Sequence, residues 1–180
     1  MDQELIDVLD SNGSVTGEKK TRQEIHERGL WHCATDLWFL NFKGELLINL
    51  RSPLKDNNPN KWDVSSGGHV RAGEDVRAGV LREIKEEFEL ELGANDLVYL
   101  GTVKIETERP GYINREFNPV FIVKIDFKPE NIKKQDSEVA AIKWLPWSEL
   151  QKTVESHDPN FVPHEEEYKI LFKYLKENNY

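Results

Sequence analysis

The sequence predicts an α/β (α+β) fold in which a β-sheet packs between helices. Three observations support this prediction. Paired strand-like segments occur along the chain, helical segments follow them without strict alternation, and no internal repeat is present. The 180 residues, 38% of them hydrophobic and 10% aromatic, suffice to bury the core of one domain spanning residues 1–180.

The first half of the chain is predicted to form a hairpin, a short helix and a second hairpin. Glu4–Asp10 alternates in polarity and then turns, which indicates a strand entering a hairpin. Thr21–Gly29 begins with a capping threonine, has Glu24 three residues later and ends in glycine, so it is predicted to be helical. Two apolar strands flank Phe42–Gly44, and a polar surface loop follows over 53–62.

The central helix is predicted from Asp75 to about Glu91, because Leu81, Ile84 and Phe88 recur at helical spacing and form one apolar stripe. The remaining predicted elements are strands over 96–108, 117–127 and 137–146, a loop over 109–116, a helix beginning near Trp147, and a final helix over 164–178. The predicted fold class rests on this mixture of strands and helices.

The charge of the chain limits the ligands that it can bind. Acidic residues number 33 and basic ones 24, and the formal net charge of −9 disfavours binding to a nucleic-acid duplex. A polyanionic small molecule would also be repelled, unless a divalent cation bridges it to protein carboxylates. The acidic balance therefore agrees with a metal-dependent site.

Cysteine usage and hydropathy favour a cytoplasmic protein with no membrane partner. Cys33 is the only cysteine, which excludes an internal disulfide and a cysteine-based zinc site. No apolar run approaches the roughly 18 residues of a membrane span. The acidic first residues lack a signal-peptide pattern, so we expect a cytoplasmic location.

Glu83, Glu86 and Glu87 form a carboxylate cluster on the predicted central helix. A helix turns about 100° per residue, so these side chains fall within roughly a third of its circumference. Their mutual repulsion requires compensation, and a hard divalent cation with oxygen ligands is the natural candidate. An isolated acidic run is more often a solvated face. Here, however, predicted glycine-rich turns at Gly67–Gly68 and Gly73 precede it, and glycine lets backbone groups approach a ligand closely.

The same stretch resembles the Nudix box, G-x5-E-x7-R-E-U-x-E-E-x-G-U, in which U is an aliphatic residue. The matching positions are Gly68, Glu74, Arg82–Glu87 and Leu90. Glu89 stands where the family usually has a glycine that ends the helix. Its presence predicts that the helix runs on toward Gly93.

The resemblance implies a Nudix-type α/β/α sandwich with a mixed central sheet, acting as a pyrophosphohydrolase. The substrate would be a small molecule, either a nucleoside di- or triphosphate or another X-linked diphosphate, and the cofactor Mg²⁺ or Mn²⁺. The protein would be a monomer or a homodimer. The implied metal ligands are Glu83, Glu86, Glu87 and the Gly68 carbonyl, with Glu74 and Arg82 as structural support.

A general base must accept the proton of the attacking water. In proteins that share the box, this base is a glutamate of the box or an acid from a later loop. By that likeness Glu83 is the first candidate, and Glu138 and Glu116 are the alternatives, although each later acid alone is more often a surface residue. The expected substrate-binding residues are Arg51, His69, Arg109 and Arg115.

A wider part of the chain resembles the branch of the family that contains isopentenyl-diphosphate isomerase, which moves a double bond by proton transfer. That enzyme uses a cysteine where this chain has Gly67. It also uses a Glu-x-Glu pair, of which Glu116 is present here while Asn114 replaces the first acid. His32 and His69 match histidines that hold its metal. Because glycine cannot transfer a proton, we favour the hydrolase over the isomerase.

The histidines also have ordinary structural interpretations. His26 and His32 lie six residues apart, which is unfavourable spacing for one helix face, and His32 is predicted on a strand. We therefore do not expect His32 to be a metal ligand. His69, next to Gly68, is expected to contact phosphate or a second metal, or else to be a hydrogen-bonded structural residue.

Overall fold

Within residues 4–55 and 57–180, which the computed structural model describes, nine strands form one sheet. The strands are β1 (Leu5–Leu9), β2 (Val15–Thr21), β3 (Trp31–Leu40), β4 (Glu45–Arg51), β5 (Trp62–Asp63), β6 (Ser66–His69), β7 (Val98–Arg109), β8 (Tyr112–Lys124) and β9 (Val139–Pro146). The helices are α1 (Arg22–Arg28), α2 (Val76–Phe88), α3 (Trp147–Glu155) and α4 (Glu165–Glu177), with 3₁₀ turns at Ala94–Asp96 and Pro129–Asn131. None of the helices in these two ranges is long and apolar enough to cross a membrane.

Strand β3 is the centre of the sheet. It pairs antiparallel with β1, β4 and β6, and parallel with β8. Strand β2 extends the sheet beyond β1, and β7 extends it beyond β8. Strands β5 and β9 both pair with β4. The parallel pairing of β3 with β8 makes the sheet mixed, as the family resemblance implies.

Successive residues of the central strands pack on opposite faces of the sheet. On β3, Trp38 and Leu40 pack with α3 and α4, whereas Leu37 and Phe39 pack with α2. The α4 residues of the first core are Tyr168, Leu171, Phe172 and Leu175, and the α2 residues of the second are Val80, Ile84 and Phe88. Helices cover both faces, so the predicted α/β/α sandwich is confirmed.

The predicted helix α1 is confirmed together with its capping residues. The Glu24 N–H donates to Thr21 Oγ1 at 3.3 Å, and the Thr21 N–H donates to the Glu24 carboxylate at 3.0 Å. Gly29 ends the helix with φ 62°. The two flanking hairpins, the strand β9 and the helices α3 and α4 also occur where the sequence predicts them.

The prediction of a turn at Gly67–Gly68 is wrong, because both residues lie in β6. Gly67 pairs with Asp36 and Gly68 with Thr35 on β3. Pairing with β3 satisfies the backbone groups of β6 in an extended conformation. Here glycine is required for close packing of side chains from neighbouring elements, and no turn is made.

The prediction of a loop over 109–116 is also wrong, because β7 and β8 pair with each other almost to their ends. Arg109 pairs with Tyr112, which leaves only Pro110–Gly111 as the connection. Proline presets φ for the first turn position, and Gly111 takes φ 75° at the second. Two residues are therefore enough to reverse the chain.

The helix α2 ends at Phe88, so the prediction that it continues toward Gly93 is wrong. Glu89 itself takes the left-handed conformation, with φ 53° and ψ 25°, and its N–H donates to the Lys85 carbonyl at 3.1 Å. A residue with a Cβ loses roughly 1–2 kcal/mol in this conformation. The Glu89 carboxylate forms an ion pair with Lys133 at 2.9 Å, on the surface.

Replacing Glu89 by glycine is expected to stabilise the protein by about 0.5–1 kcal/mol. Glycine removes the left-handed strain, while its larger entropy in the unfolded chain offsets part of the gain. Urea unfolding at neutral pH measures the change. Glu89→Ala is the matched control, because it removes the ion pair with Lys133 but keeps a Cβ. Equal stability of the Gly and Ala variants would show that the position is unstrained.

Candidate functional site

A cleft of about 700 Å³ collects residues from α2, β6, β8 and the start of α4. The three predicted carboxylates, Glu83, Glu86 and Glu87, all line this cleft, and so do Gly68 and His69. The structure therefore brings the predicted metal ligands together in one open depression.

Arg82 ties the carboxylate helix to the segment that precedes it. Its Nε and Nη2 atoms donate to the two carboxylate oxygens of Glu74 at 2.9 and 3.0 Å. Its Nη1 donates to Glu83 Oε1 at 2.6 Å, and Nη2 also donates to the His69 carbonyl at 2.9 Å. Burial would raise the pKa of Glu74, but the hydrogen bonds from Arg82 lower it. Arg82 and Glu74 have the contacts that a supporting role requires, and they fix one oxygen of Glu83.

Glu87 is a buried acid with a raised pKa. Only 7% of the residue is exposed, and Ser66 Oγ donates to its Oε2 at 2.6 Å. Burial raises the pKa of Glu87 to about 8, and the negative charges of Glu83 and Glu138 act in the same direction. Burial also raises the pKa of Glu83, despite its hydrogen bond from Arg82. A bound cation would relieve the repulsion among these acids.

Strand β6 approaches α2 closely and brings Gly68 next to the carboxylates of this helix. A side chain at position 68 would overlap the Glu83 carboxyl group, so only glycine fits there. Glu86 is the most exposed of the three acids and accepts a hydrogen bond from Arg71 at 3.2 Å. Every proposed ligand is an oxygen donor, and the acids repel one another. Such a set fits a hard divalent cation.

A second group, which we call the histidine site, consists of His26, His32, His69 and Glu116, of which His69 and Glu116 line the cleft. The ligand nitrogens of the three histidines lie within 4.8 Å of one another. Glu116 Oε1 lies 3.4 Å from His32 Nε2 and 3.8 Å from His69 Nε2. Burial lowers the pKa of His26 to about 4 and that of His69 to about 3, which keeps both in the neutral form that ligates metals. The geometry opposes the expectation that His32 has no metal-binding role.

The spacing of six residues between His26 and His32 argues against a shared site, but the two residues lie on different elements and the spacing rule for one helix does not apply. His26 is on α1, His32 is near the start of β3, and His69 ends β6. The antiparallel pairing of β6 with β3 places His69 opposite Ala34, beside His32. Three elements therefore build the histidine site, and a spacing rule for one helix cannot find it.

The three candidate bases differ in their surroundings. Burial would raise the pKa of Glu116, but the electrostatic interaction with His32, whose Nε2 lies 3.4 Å away, lowers it to about 2, which makes it a weak base. Glu138 lines the cleft and forms an ion pair with Lys55. Glu83 combines a place in the cleft with a raised pKa. Glu83 therefore stays the first candidate.

Two of the predicted substrate-binding residues, Arg51 and His69, line the cleft. Arg51 is already engaged there. Its Nη1 donates to Asp63 Oδ2 at 2.7 Å, and its Nε donates to the Asn57 carbonyl at 3.0 Å. A phosphate bound by Arg51 would therefore share the guanidinium group with Asp63 and Asn57.

Arg109 and Arg115 do not appear among the described residues that line the cleft. Arg109 donates to Asn57 Oδ1, and its guanidinium lies 4.6 Å from the centre of the Tyr112 ring. Arg115 Nη1 donates to the Gly29 carbonyl at 3.2 Å. The expected substrate contacts of both residues are not supported, because they lie on a paired hairpin instead of a free loop.

A further buried group, which we call the Asp36 cluster, consists of Asp36, Asp63, His164 and Glu167, and all four line the cleft. Burial alone would lower the pKa of His164, but the charges of Asp63 and Glu167 raise it to about 10. Burial raises the pKa of Asp36, and the negative charge of Glu167 adds to that effect. These residues come from β3, β5 and the start of α4, so no local motif in the sequence indicates them.

Comparison with known proteins identifies relatives of the whole fold. Residues 30–164 match the profile of the NUDIX domain. The chain is 35% identical over 184 aligned positions to Nudix hydrolase 3 of Arabidopsis thaliana, covering 98% of this chain but 24% of that protein, so it spans about a quarter of the relative's length. It is 27% identical to the isopentenyl-diphosphate Delta-isomerase of Serratia proteamaculans, covering 89% of this chain and 84% of that protein. A crystal structure from Deinococcus radiodurans shares the fold with a TM-score of 0.73 at 21% identity, covering 93% of this chain and 97% of that one.

In metal-free protein, Glu87→Gln is expected to raise stability at pH 8 and to change it little at pH 5. Folded Glu87, with a pKa of about 8, holds a proton that the unfolded chain releases near its ordinary value of 4.5. The contribution to stability is therefore complete below pH 4.5 and is lost as the pH rises toward 8. Glutamine stays neutral and still accepts from Ser66, so we expect a gain of roughly 1–3 kcal/mol at pH 8.

Thermal unfolding in EDTA at pH 5, 6.5 and 8 measures this effect. Glu91→Gln is the control, since it removes one exposed carboxylate just beyond the same helix. A difference between Glu87→Gln and wild type that does not change with pH would contradict the raised pKa of Glu87.

Proposed function

We propose, because the chain belongs to the Nudix family, that it is a metal-dependent pyrophosphohydrolase. It cleaves a diphosphate linkage in a nucleoside di- or triphosphate, or in another X-linked diphosphate, with water as the nucleophile. The observation that carries this proposal is the pair of half-buried Glu83 and buried Glu87, which Arg82 and Ser66 hold in the cleft beside Glu86.

The proposed cofactor is Mg²⁺ or Mn²⁺, held by Glu83, Glu86, Glu87 and the Gly68 carbonyl. All four groups offer oxygen atoms, which these hard cations prefer. When bound, the cation neutralises charge on the diphosphate and lowers the pKa of the attacking water. Its charge also accounts for how a chain with a formal net charge of −9 can accept a polyanionic substrate.

Glu83 is the proposed general base. Arg82 occupies Glu83 Oε1 through a hydrogen bond of 2.6 Å, which leaves Oε2 as the oxygen that accepts the proton. Burial raises the pKa of Glu83, and a raised pKa strengthens a carboxylate as a base. Arg82 remains charged throughout, because hydrogen bonds with Glu74 and Glu83 raise its pKa although burial opposes this.

Positive side chains around the cleft support binding of an anionic substrate. Besides Arg82, the basic residues that line it are Arg22, Arg51, Lys55, Arg71 and Lys104. Arg51 and Lys55 are paired with Asp63 and Glu138, so their charge is partly balanced before substrate arrives. We assign the diphosphate to the region between these cations and the carboxylates of α2.

Isomerisation of isopentenyl diphosphate is the second candidate function, and the histidine site is the observation that favours it. The surroundings of Gly67 oppose it. A side chain at this position would overlap Asp36 Oδ1, so the cysteine that the isomerase uses does not fit beside Asp36. The Glu-x-Glu pair is also incomplete, because Asn114 replaces its first acid. Hydrolysis is therefore the better supported function.

Wild-type protein is expected to hydrolyse at least one class of diphosphate only when Mg²⁺ or Mn²⁺ is added. The panel consists of nucleoside di- and triphosphates, nucleotide sugars, dinucleoside polyphosphates and isoprenoid diphosphates, with the products separated and quantified by anion-exchange chromatography. Glu87→Gln is expected to lower kcat at least about 100-fold, because it removes a charge that holds the cation.

Glu91→Gln is again the matched control, because its carboxylate pairs with Lys85 in solvent. It is expected to leave kcat and KM unchanged. Wild-type turnover that persists in EDTA, or full activity of Glu87→Gln, would overturn the assignment of a metal-dependent hydrolase.

Incubation of wild-type protein with isopentenyl diphosphate in D₂O is expected to give no deuterium in the carbon skeleton. The physical reason is that glycine at position 67 offers no group that can transfer a proton. Proton NMR of the recovered diphosphate measures the exchange. Incorporation above the protein-free control, abolished by Glu116→Gln, would move the assignment to the isomerase.

A further inference from the structure

We propose that Asp36, His164 and Glu167 bind a divalent transition-metal ion at a site separate from the carboxylates of α2. One ligand atom from each residue lies within 4.8 Å of the others, so the three atoms surround a common point. Asp36 comes from β3, whereas His164 and Glu167 belong to the start of α4. The site does not depend on the proposed hydrolysis.

The orientation of His164 is the first argument for a metal. Its Nε2 lies 2.6 Å from Asp63 Oδ1, and Asp63 is held in turn by Arg51 Nη1 at 2.7 Å. With Nε2–H donating to Asp63, the other nitrogen, Nδ1, faces Glu167 Oε2 at 3.6 Å. A carboxylate that accepts from one nitrogen of a histidine commonly fixes the other nitrogen on a metal.

Buried oxygen atoms without hydrogen-bond partners are the second argument. Glu167 is 1% exposed, and Trp38 Nε1 donates to its Oε1 at 2.6 Å, but Oε2 has no hydrogen-bond partner among the described residues. Asn118 is also buried. Its Nδ2 donates to Asp36 Oδ2 at 2.5 Å, and its Oδ1 likewise lacks a partner in the described part of the chain. A buried acceptor left unpaired costs about 1–3 kcal/mol, which a cation would offset.

The balance of charge is the third argument. Asp36, Asp63 and Glu167 carry three negative charges when ionised, and Arg51 supplies one positive charge beside them. If His164 is a neutral ligand, two negative charges remain uncompensated. A divalent cation balances them in place of the two protons that His164 and Asp36 otherwise hold, since the pKa values of both residues are raised.

The donor set selects the kind of ion. One imidazole nitrogen with two carboxylate oxygens suits Mn²⁺, Co²⁺ or Zn²⁺ better than Mg²⁺. The ion would link the first turn of α4 to β3. Asp36 and the α2 carboxylates line the same cleft, and a Cβ at Gly67 would meet Asp36 whereas a Cβ at Gly68 would meet Glu83.

Anomalous diffraction from crystals of the whole chain soaked in MnCl₂ tests the proposal directly. We expect a manganese peak among Asp36, His164 and Glu167 in wild type, in addition to any peak at α2. The peak is expected to disappear in Glu167→Gln. A wild-type map with manganese at α2 or the histidine site, and none among these three residues, would overturn the proposal.

Equilibrium dialysis against Mn²⁺ gives the second readout, and it does not require turnover. Glu167→Gln is expected to bind one ion fewer per chain than wild type, or to bind it at least tenfold more weakly. Glu177→Gln, at the exposed end of the same helix, is the matched control and is expected to match wild type. Asp63→Asn keeps all three ligands and is expected to weaken the same ion roughly 10–100-fold. Equal binding by all four proteins would identify the Asp36 cluster as an ion-pair network that shares a proton.

Discussion

The absence of side chains at Gly67 and Gly68 is the constraint on which both sides of the cleft depend. A Cβ at the first position would overlap Asp36, and a Cβ at the second would overlap Glu83. Both glycines stay paired with β3, so β6 keeps its backbone hydrogen bonds while acidic side chains close in on it from two directions. Any larger residue would separate these acids from the strand and widen the sites they form.

The crowded acids oppose folding unless positive charge accompanies them. Burial raises the pKa of Glu87 to about 8 and also raises that of Asp36. Each side of β6 has one fixed arginine: Arg82 donates to Glu83, and Arg51 donates to Asp63. These two cations orient the acids, and without a bound metal ion protons offset much of the remaining negative charge, because the pKa values of Glu87, Asp36 and His164 are all raised. Such local instability is typical of sites that bind a cation, because binding of the cation stabilises the folded state and offsets the free energy lost by crowding the acids.

Features carried by neighbouring residues could be predicted from the sequence, and features built across the sheet could not. The carboxylates of α2 share one helix, so their spacing alone predicts that they cluster. The apolar runs on either side of Phe42–Gly44 likewise predict two buried strands. The histidine site depends instead on how β6 and β8 pair with β3, and the Asp36 cluster depends on how β5 and the start of α4 lie beside β3, which no local pattern encodes. The prediction for the end of α2 is wrong for a different reason. Glu89 ends the helix in the left-handed conformation, although glycine is usual at such a position.

The contact between Gly67 and Asp36 explains how this chain combines a histidine site like that of an isomerase with the carboxylate helix of a hydrolase. A cysteine side chain at position 67 needs the space that Asp36 Oδ1 occupies. Asp36 is fixed there by Asn118, which donates to it at 2.5 Å. The proton-transferring thiol and the buried carboxylate therefore exclude each other. A cysteine at position 67 therefore requires the Asp36 carboxylate to move away from its present position before the thiol can occupy this space.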